Sequence, residues 1–200
     1  MCIRDSRRAL REPERRERRA EERSTFDLPQ TVNRAPADVL EIFLQPGEFY
    51  FGDGKTRIRT LLGSCVAITL WHPRLRVGGM AHYMLPQRPN RSKDQPLDGR
   101  YAEEVMLMFQ RELQDARTRP GEYRVKLFGG GRMFAHARNA KSHVDVSDRN
   151  VETGRQLIAQ HGFKIHAEDL GGDGHRNVVF DLWSGDVWLK KAARTLSGGS

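Results

Sequence analysis

Two apolar segments joined by a short connection constrain the fold of this chain most strongly. Large apolar side chains alternate with Ala and Thr over residues 66–70, and residues 77–85 form a second apolar segment. This period of two predicts β-strands, and the short connection predicts that they pair as an antiparallel hairpin. If the turn centres on residues 73–74, Cys65 lies directly opposite His82, with Cβ atoms about 4.5–5.5 Å apart. A longer loop moves this pair to a diagonal.

Cys65 is a candidate nucleophile. A thiol that lies near an imidazole is the pair used in nucleophilic catalysis by cysteine, because the imidazole takes the thiol proton. The alternative is an inert core residue, since free cysteines are among the most buried residue types. The preceding Gly63 and Ser64 favour a functional role, because they begin a packed strand poorly but bring backbone N–H groups beside the sulfur. We therefore predict that Gly63 and Ser64 contribute to an oxyanion hole.

Several segments carry recognisable motifs, and they follow one another in a fixed order. They are residues 60–70, 78–86, 126–130, 149–151, 169–172 and 176–180. In order and in spacing, over residues 40–190, they resemble the CheD family, the chemoreceptor glutamine deamidases of bacterial chemotaxis, and the resemblance is more specific than any single motif. One departure is visible. The family usually has Gly directly before the Arg of its last motif, whereas this chain has His175 before Arg176.

The resemblance implies a hydrolase whose site contains a Cys, a His and a Thr. Cys65 attacks the side-chain carboxamide of a receptor glutamine, ammonia leaves, and water hydrolyses the thioester to give glutamate. His82 takes the thiol proton and later returns it to the leaving amine. The third member is Thr60, which the alternation over residues 56–61 turns inward, where it can orient the imidazole. Without the resemblance, Thr60 is interpreted as an ordinary strand residue.

The expected activation of the thiol follows from the weakness of Thr60 as an orienting group. A neutral hydroxyl stabilises an imidazolium less than a carboxylate does. Activation is therefore expected to come from the pair of Cys65 and His82 and from local N–H dipoles, which can lower the pKa of a thiol from about 8.5 to well below 7.

Length and composition predict one domain with two tails. A 200-residue chain with 38% hydrophobic residues can bury a single α/β core. Residues 1–23 carry nine Arg and six acidic residues, so residues 1–24 are expected to form a disordered tail, whose first six residues, including Cys2, look foreign to the natural protein. Residues 25–192 are expected to form a single-domain layered sandwich, a mostly antiparallel or mixed sheet flanked by helices. Residues 193–200 are expected to form a flexible C-terminal tail.

The remaining pattern predicts two helices, several strands and one long loop. Apolar residues at helical spacing predict helices over residues 101–117 and 150–161. Residues 40–51 predict a first strand or turn, and residues 123–128 predict a buried strand followed by three glycines. These glycines lack the spacing of a phosphate-binding loop, so they predict close backbone packing near the active site. The polar residues 86–99 predict a functional loop over the active site. Later strands are expected at residues 163–166, 177–182 and 187–190.

Several other functions do not fit the composition. The formal net charge of +8 comes from scattered Arg residues without interleaved aromatic residues, and no signature of a nucleic-acid-binding fold occurs. The seven His and two Cys lack the spacing of metal ligands, so no metal and no cofactor are expected. No apolar run approaches the ~20 residues of a membrane span. We therefore expect a cytoplasmic enzyme that neither binds nucleic acid nor inserts into a membrane.

The resemblance also implies two partners. The first is the cytoplasmic domain of a chemoreceptor, which is the substrate, and the second is a CheC-type phosphatase that binds the deamidase. Two alternatives stay open. One is a non-catalytic adaptor that regulates such a phosphatase, and the other is a different cysteine enzyme, a peptidase or a transglutaminase.

Overall fold

The computed structural model describes residues 35–92, 94–132 and 146–191. The predicted tails at residues 1–24 and 193–200, and Cys2 within the first of them, lie outside this part of the chain. The strands are β1 (Leu40–Phe43), β2 (Phe49–Gly52), β3 (Thr56–Leu62), β4 (Val66–His72), β5 (Val77–Tyr83), β6 (Arg124–Gly129), β7 (Ile165–Leu170), β8 (Arg176–Asp181) and β9 (Asp186–Lys191). The helices are α1 (Ala102–Asp115) and α2 (Val146–Gln160), and a turn of 3-10 helix spans Pro120–Glu122.

The strands form two mixed sheets. The small sheet has the strand order β1-β3-β8-β9, and the large sheet has the order β2-β5-β4-β6-β7. β1 pairs with β3 in parallel, as does β6 with β7, and the other pairs are antiparallel. The predicted α/β class with mixed pairing is confirmed. The structure adds that the strands are divided between two sheets.

The chain changes sheet at the segment that contains Cys65. β3 pairs with β8 in the small sheet, whereas β4 lies between β5 and β6 in the large sheet. Only Gly63, Ser64 and Cys65 connect the two strands. The predicted first strand over residues 40–51 is likewise divided, because β1 belongs to the small sheet and β2 to the large one. The candidate nucleophile therefore lies where the two sheets meet.

Two core clusters show that the layers are small sheet, large sheet and helices. Val66, Ile68 and Leu70 of β4 belong to the cluster that contains the buried apolar side chains of both helices. Ala67 and Trp71 of the same strand belong to the cluster shared with the small sheet. Every residue of β4 is buried, because each of its faces is covered by another layer. Burial of each large apolar side chain contributes about 1.5–3 kcal/mol, so this central strand anchors both interfaces.

Most predicted boundaries agree with the structure to within a few residues. α1 lies inside the predicted helix 101–117, and the last two strands match the predicted ranges to within one residue. α2 begins four residues before its predicted start, and β7 begins two residues after its own predicted start. No helix in the described residues is long and apolar enough to cross a membrane.

One buried carboxylate holds the polar loop that follows β5. Glu104 of α1 is 1% exposed and accepts hydrogen bonds from the Arg88 guanidinium at 2.8 and 2.9 Å. It also accepts a hydrogen bond from the backbone N–H of Asp98 at 2.9 Å. The backbone N–H of Leu85 donates to the carbonyl of Arg100 at 3.0 Å. The loop therefore leaves and returns beside the end of β5, the strand that carries His82.

Candidate active site

The register of β4 and β5 differs from the predicted one by two residues. The partner of His82 is Ala67, and His72 pairs with Val77, so the connecting loop has four residues. The prediction that Cys65 lies directly opposite His82 is therefore wrong. Because the difference is an even number of residues, Cys65 keeps its place on the same face as His82, at the diagonal that a longer loop gives. The backbones of diagonal neighbours on paired strands lie about 7–8 Å apart in space, a distance that the side chain of a histidine can span.

Thr60 fixes the orientation of His82 through one hydrogen bond. Its Oγ1 lies 2.8 Å from Nδ1 of His82 and 2.8 Å from the carbonyl oxygen of Leu44. A carbonyl oxygen can only accept, so the single hydroxyl hydrogen of Thr60 goes to Leu44. Nδ1 of His82 must then donate to Thr60, and this places the proton of the neutral imidazole on Nδ1. The expectation that Thr60 points inward and contacts the imidazole is confirmed.

The other ring nitrogen of His82 is left as a base. His82 is 1% exposed, and within the described part of the chain its Nε2 is buried without a hydrogen-bond partner. Burial lowers the pKa of His82 to about 4, and the carbonyl of Leu44 and the charge of Glu48 only partly counteract this effect. The ring is therefore neutral at neutral pH, and Nε2 carries an unshared electron pair.

Burial also decides the resting state of Cys65. The residue is half-buried, and this burial raises the pKa of its thiol. Its own backbone N–H and the side chain of Ser64 act in the opposite direction but do not outweigh burial. The pair with His82 and local N–H dipoles were predicted to lower the thiol pKa well below 7. This prediction is wrong in its net direction, because the cost of burying a thiolate is larger than the opposing effect of the N–H group. The resting pair consists of a neutral thiol and a neutral imidazole.

Three backbone carbonyls in the loop that carries Cys65 accept hydrogen bonds from neighbouring segments. The carbonyl of Gly63 accepts from the N–H of Gly131 at 2.8 Å, and that of Cys65 accepts from the N–H of Gly130 at 2.8 Å. The carbonyl of Ser64 accepts from Nδ2 of Asn150 at 3.4 Å. In a trans peptide the N–H points away from the carbonyl of the same unit. The N–H of Ser64 is therefore directed away from Gly131, and the N–H of Cys65 is directed away from Asn150.

Gly129, the last residue of β6, and the two glycines that follow it pack closely against neighbouring backbone and side chains, as predicted. A Cβ on Gly129 would lie 2.2 Å from the carbonyl oxygen of Cys65, and the φ of this residue is +118°. A Cβ on Gly131 would lie 2.3 Å from the carbonyl oxygen of Gly174. Neither position has room for a side chain, because real Cβ atoms do not approach a carbonyl so closely.

Arg176 stabilises the glycine-rich turn where the sequence departs from the usual motif. Its side chain is buried, its Nε donates to Asp169 at 2.8 Å, and its Nη2 donates to the carbonyl of Gly171. Gly171, Gly172 and Gly174 adopt positive φ angles of 70°, 71° and 86°, which glycine adopts without strain. The His before Arg176 is compatible with this turn, since the conformations that require glycine fall on the residues before it.

Two contributors to the site were not singled out by sequence reasoning. Asn150 appeared only inside a motif, although it is a polar residue on the buried stripe of α2 that Gly154, Leu157 and Ile158 continue. A polar side chain on such a stripe is a signal that could have identified it. The carbonyl of Leu44 has no such signal, because a backbone acceptor is the same for every residue type. No cluster of three or more His, Cys, Asp or Glu among the residues described could hold a metal ion.

Comparison with known proteins identifies the family. The model of the family described as CheD chemotactic sensory transduction matches residues 84–191. A protein of Dechloromonas aromatica named "Probable chemoreceptor glutamine deamidase CheD 3" is 51% identical over 158 residues, which are 79% of this chain and 91% of that protein. A protein of Pseudomonas savastanoi pv. phaseolicola named "Probable chemoreceptor glutamine deamidase CheD" is 54% identical over 155 residues, 78% of this chain and 86% of that protein.

The matches to the two relatives include the candidate site, whereas the match to the family model begins at residue 84, after Thr60, Cys65 and His82. Any stretch of 158 residues in a chain of 200 contains Thr60, Cys65 and His82. Among solved structures, the hypothetical protein YfiH of Bacillus licheniformis has a TM-score of 0.39 and 14% identity, over 60% of this chain and 49% of that one. The assignment therefore depends on the sequence relatives. On their evidence, this chain belongs to the CheD family.

Proposed function

We propose that this chain hydrolyses the side-chain amide of specific glutamines on the cytoplasmic helices of chemoreceptors to glutamate, through a thioester on Cys65. The observation that carries the proposal is the hydrogen bond from His82 to Thr60, which leaves a buried, unprotonated Nε2 on His82. Cys65 packs against the same core cluster as Ala67, the residue directly opposite His82. The names of the relatives, which describe chemoreceptor glutamine deamidases, support the same reaction class.

The first half of the reaction forms the thioester. The thiol proton of Cys65 passes to Nε2 of His82, and the sulfur attacks the carboxamide carbon of the glutamine. The C=O electrons move to the oxygen, where the N–H groups of Ser64 and Cys65 are proposed to stabilise the charge. The carbon–nitrogen bond then breaks as the imidazolium of His82 gives its proton to the departing amine, and ammonia leaves.

The second half consumes one water molecule. His82 takes a proton from this water, whose oxygen attacks the thioester carbon, and the carbon–sulfur bond breaks. The proton returns to the sulfur of Cys65, and glutamate is released. The sum is one amide and one water converted to one carboxylate and one ammonium ion, with the enzyme unchanged.

Gly63 is proposed to contribute indirectly to the oxyanion site. Its carbonyl is bound by the N–H of Gly131, and this contact sets the peptide plane that directs the N–H of Ser64 away from Gly131.

A non-catalytic adaptor for a CheC-type phosphatase has no use for a buried base beside a thiol. Binding of such a phosphatase, as a second partner beside the receptor substrate, stays a prediction.

Co-expression with a chemoreceptor tests the proposed reaction. We expect mass spectrometry of receptor peptides to show an increase of about 1 Da at particular glutamines, because an amide nitrogen is replaced by oxygen. The matched control is the same receptor co-expressed with the Cys65→Ala variant. Receptor glutamines that stay unconverted in the presence of the wild-type enzyme would contradict the proposal.

The hydroxyl of Thr60 is expected to be required for the reaction. Thr60→Val has nearly the same shape but cannot accept from Nδ1 of His82, so the imidazole loses its fixed tautomer and a buried donor is left unsatisfied at a cost of about 1–3 kcal/mol. We expect the rate of ammonia release to fall roughly 10- to 100-fold, as when a positioning contact is lost. Thr60→Ser keeps the hydroxyl and serves as the control, with a rate close to that of the wild type. A Thr60→Val enzyme that is as fast as Thr60→Ser would show that the hydrogen bond has no role.

A further inference from the structure

Asn150 bridges the two segments that carry the candidate catalytic pair. Its Nδ2 donates to the carbonyl of Met84 at 2.8 Å and to that of Ser64 at 3.4 Å. Ser64 directly precedes Cys65 in the chain, and Met84 follows the β5 strand that carries His82. A single side-chain amide thus connects the loop of the nucleophile with the strand of the base.

The backbone around Asn150 is itself fixed. The hydroxyl of Tyr83 donates to the carbonyl of Asn150 at 2.6 Å. A Cβ on Gly154 would lie 2.4 Å from this hydroxyl, so glycine leaves the space that Tyr83 occupies against the helix. On the other side, a Cβ on Gly130 would lie 2.3 Å from Cγ2 of Val151. From Asn150 to Gly154, α2 therefore packs directly against Tyr83 of β5 and against Gly130. The amide of Asn150 consequently has little freedom to move.

The chemistry of the amide matches the two acceptors that it contacts. An NH2 group carries two hydrogens, one for each carbonyl, whereas a carboxylate or an aliphatic side chain of the same size offers none. The Oδ1 of Asn150 is buried and has no hydrogen-bond partner among the described residues. An unsatisfied buried acceptor costs stability. The two donor contacts, to the loop of Cys65 and to the end of β5, are therefore the hydrogen bonds that this amide contributes.

We infer that Asn150 is a positioning residue that sets the separation between the sulfur of Cys65 and Nε2 of His82. The inference rests on the proposed function for its catalytic meaning, but the geometry that it invokes can be measured on the free enzyme. Cys65 directly precedes β4, so the pairing of β4 with β5 does not by itself fix its position. The N–H groups of Gly130 and Gly131 hold the carbonyls of Cys65 and Gly63, and Asn150 ties the peptide between them to the end of β5. A shift of about 1 Å between reacting groups can lower a rate about 100-fold.

Two variants of Asn150 test the inference. Asn150→Leu and Asn150→Asp keep nearly the same size but cannot donate to either carbonyl, and the second provides an independent measurement if the first fails to fold. We expect kcat for deamidation to fall at least tenfold with KM changed by less than threefold, because substrate binding surfaces are left intact. In the free enzyme we expect alkylation of Cys65 by iodoacetamide between pH 5 and 7 to become slower, and its rate to decrease more steeply than in the wild type as the pH is lowered.

Tyr123→Phe is the matched control. It removes the hydrogen bond between the hydroxyls of the buried Tyr123 and Thr118, at 2.9 Å, directly before β6 and at the opposite end of that strand from Gly129. We expect a comparable loss of melting temperature, with kcat and the alkylation rate within about twofold of the wild type. Asn150 variants that lose stability but keep the wild-type kcat and alkylation profile would overturn the inference, as would an equal loss of kcat in Tyr123→Phe. If the wild type deamidates no receptor, the proposed function fails, and the alkylation profiles still decide the role of Asn150.

Discussion

Replacement of Cys65 by alanine or by serine is expected to abolish ammonia release from a receptor substrate. Alanine has no nucleophile. Serine keeps the shape, but its hydroxyl is far less acidic than a thiol, and a His82 whose pKa is about 4 is too weak a base to activate it. Loss of a nucleophile lowers the rate by at least about a thousandfold. The measurement is ammonia release, followed alongside the mass of the receptor peptides.

Two observations separate this effect from damage to the fold. Cys65 is half-buried, and serine differs from it by a single atom, so the melting temperature of Cys65→Ser should stay within a few degrees of the wild type. Cys2→Ala should leave the rate unchanged, because the candidate site is built from residues 44–82, 129–131 and 150. A Cys65→Ala enzyme that still releases ammonia would exclude the thioester and require another nucleophile.

The fold was predictable from the sequence to the extent that local patterns determine it. The alternation over residues 66–70 identified β4, and helical spacing identified α1. The division into two sheets was not predictable, because it depends on the pairing of β3 with β8 and of β4 with β6, which are segments far away in the chain. The hairpin register depended on loop length, and the four-residue loop ends with Arg76 at a φ of 54°, a conformation for which a non-glycine side chain gives little signal.

In the candidate site, too, local patterns were predictable and contacts between distant segments were not. The inward orientation of Thr60 came from the strand period, and the hydrogen bond to His82 confirms it. The ionisation of Cys65 was predicted in the wrong direction, because the sequence shows which dipoles precede a thiol but not how deeply the loop is buried. The bridge made by Asn150 joins residues that are 66 and 86 positions away in the chain, and a contact at that range depends on the packing of α2 against the large sheet.

Exchange of His82 for asparagine is expected to lower kcat by about 10²–10⁴-fold, the range that general acid–base catalysis contributes. Asparagine can still donate to Thr60 but has no nitrogen that accepts a proton, so the thiol loses its base while the buried hydrogen bond is kept. The measurement is ammonia release under saturating substrate. An His82→Asn enzyme with wild-type kcat would assign His82 to packing alone.

The pH dependence of Cys65 alkylation is expected to distinguish a paired thiol from an isolated one. Transfer of the proton from sulfur to Nε2 exchanges nothing with the solvent, so the fraction of the reactive ion pair does not change with pH between the two pKa values of the pair. Burial lowers the pKa of His82 to about 4 and raises that of Cys65. The free thiolate beside a neutral imidazole also reacts, and its fraction increases about tenfold for each unit by which the pH is raised. Because the ion pair adds a constant part, the alkylation rate of the wild type should change less steeply between pH 5 and 7 than that of a thiolate alone. In His82→Asn only the free thiolate reacts, and the alkylation rate should fall about tenfold for each unit by which the pH is lowered. A wild-type rate that falls as steeply as that of His82→Asn would show that the imidazole does not take the thiol proton, and the base would have to be sought elsewhere.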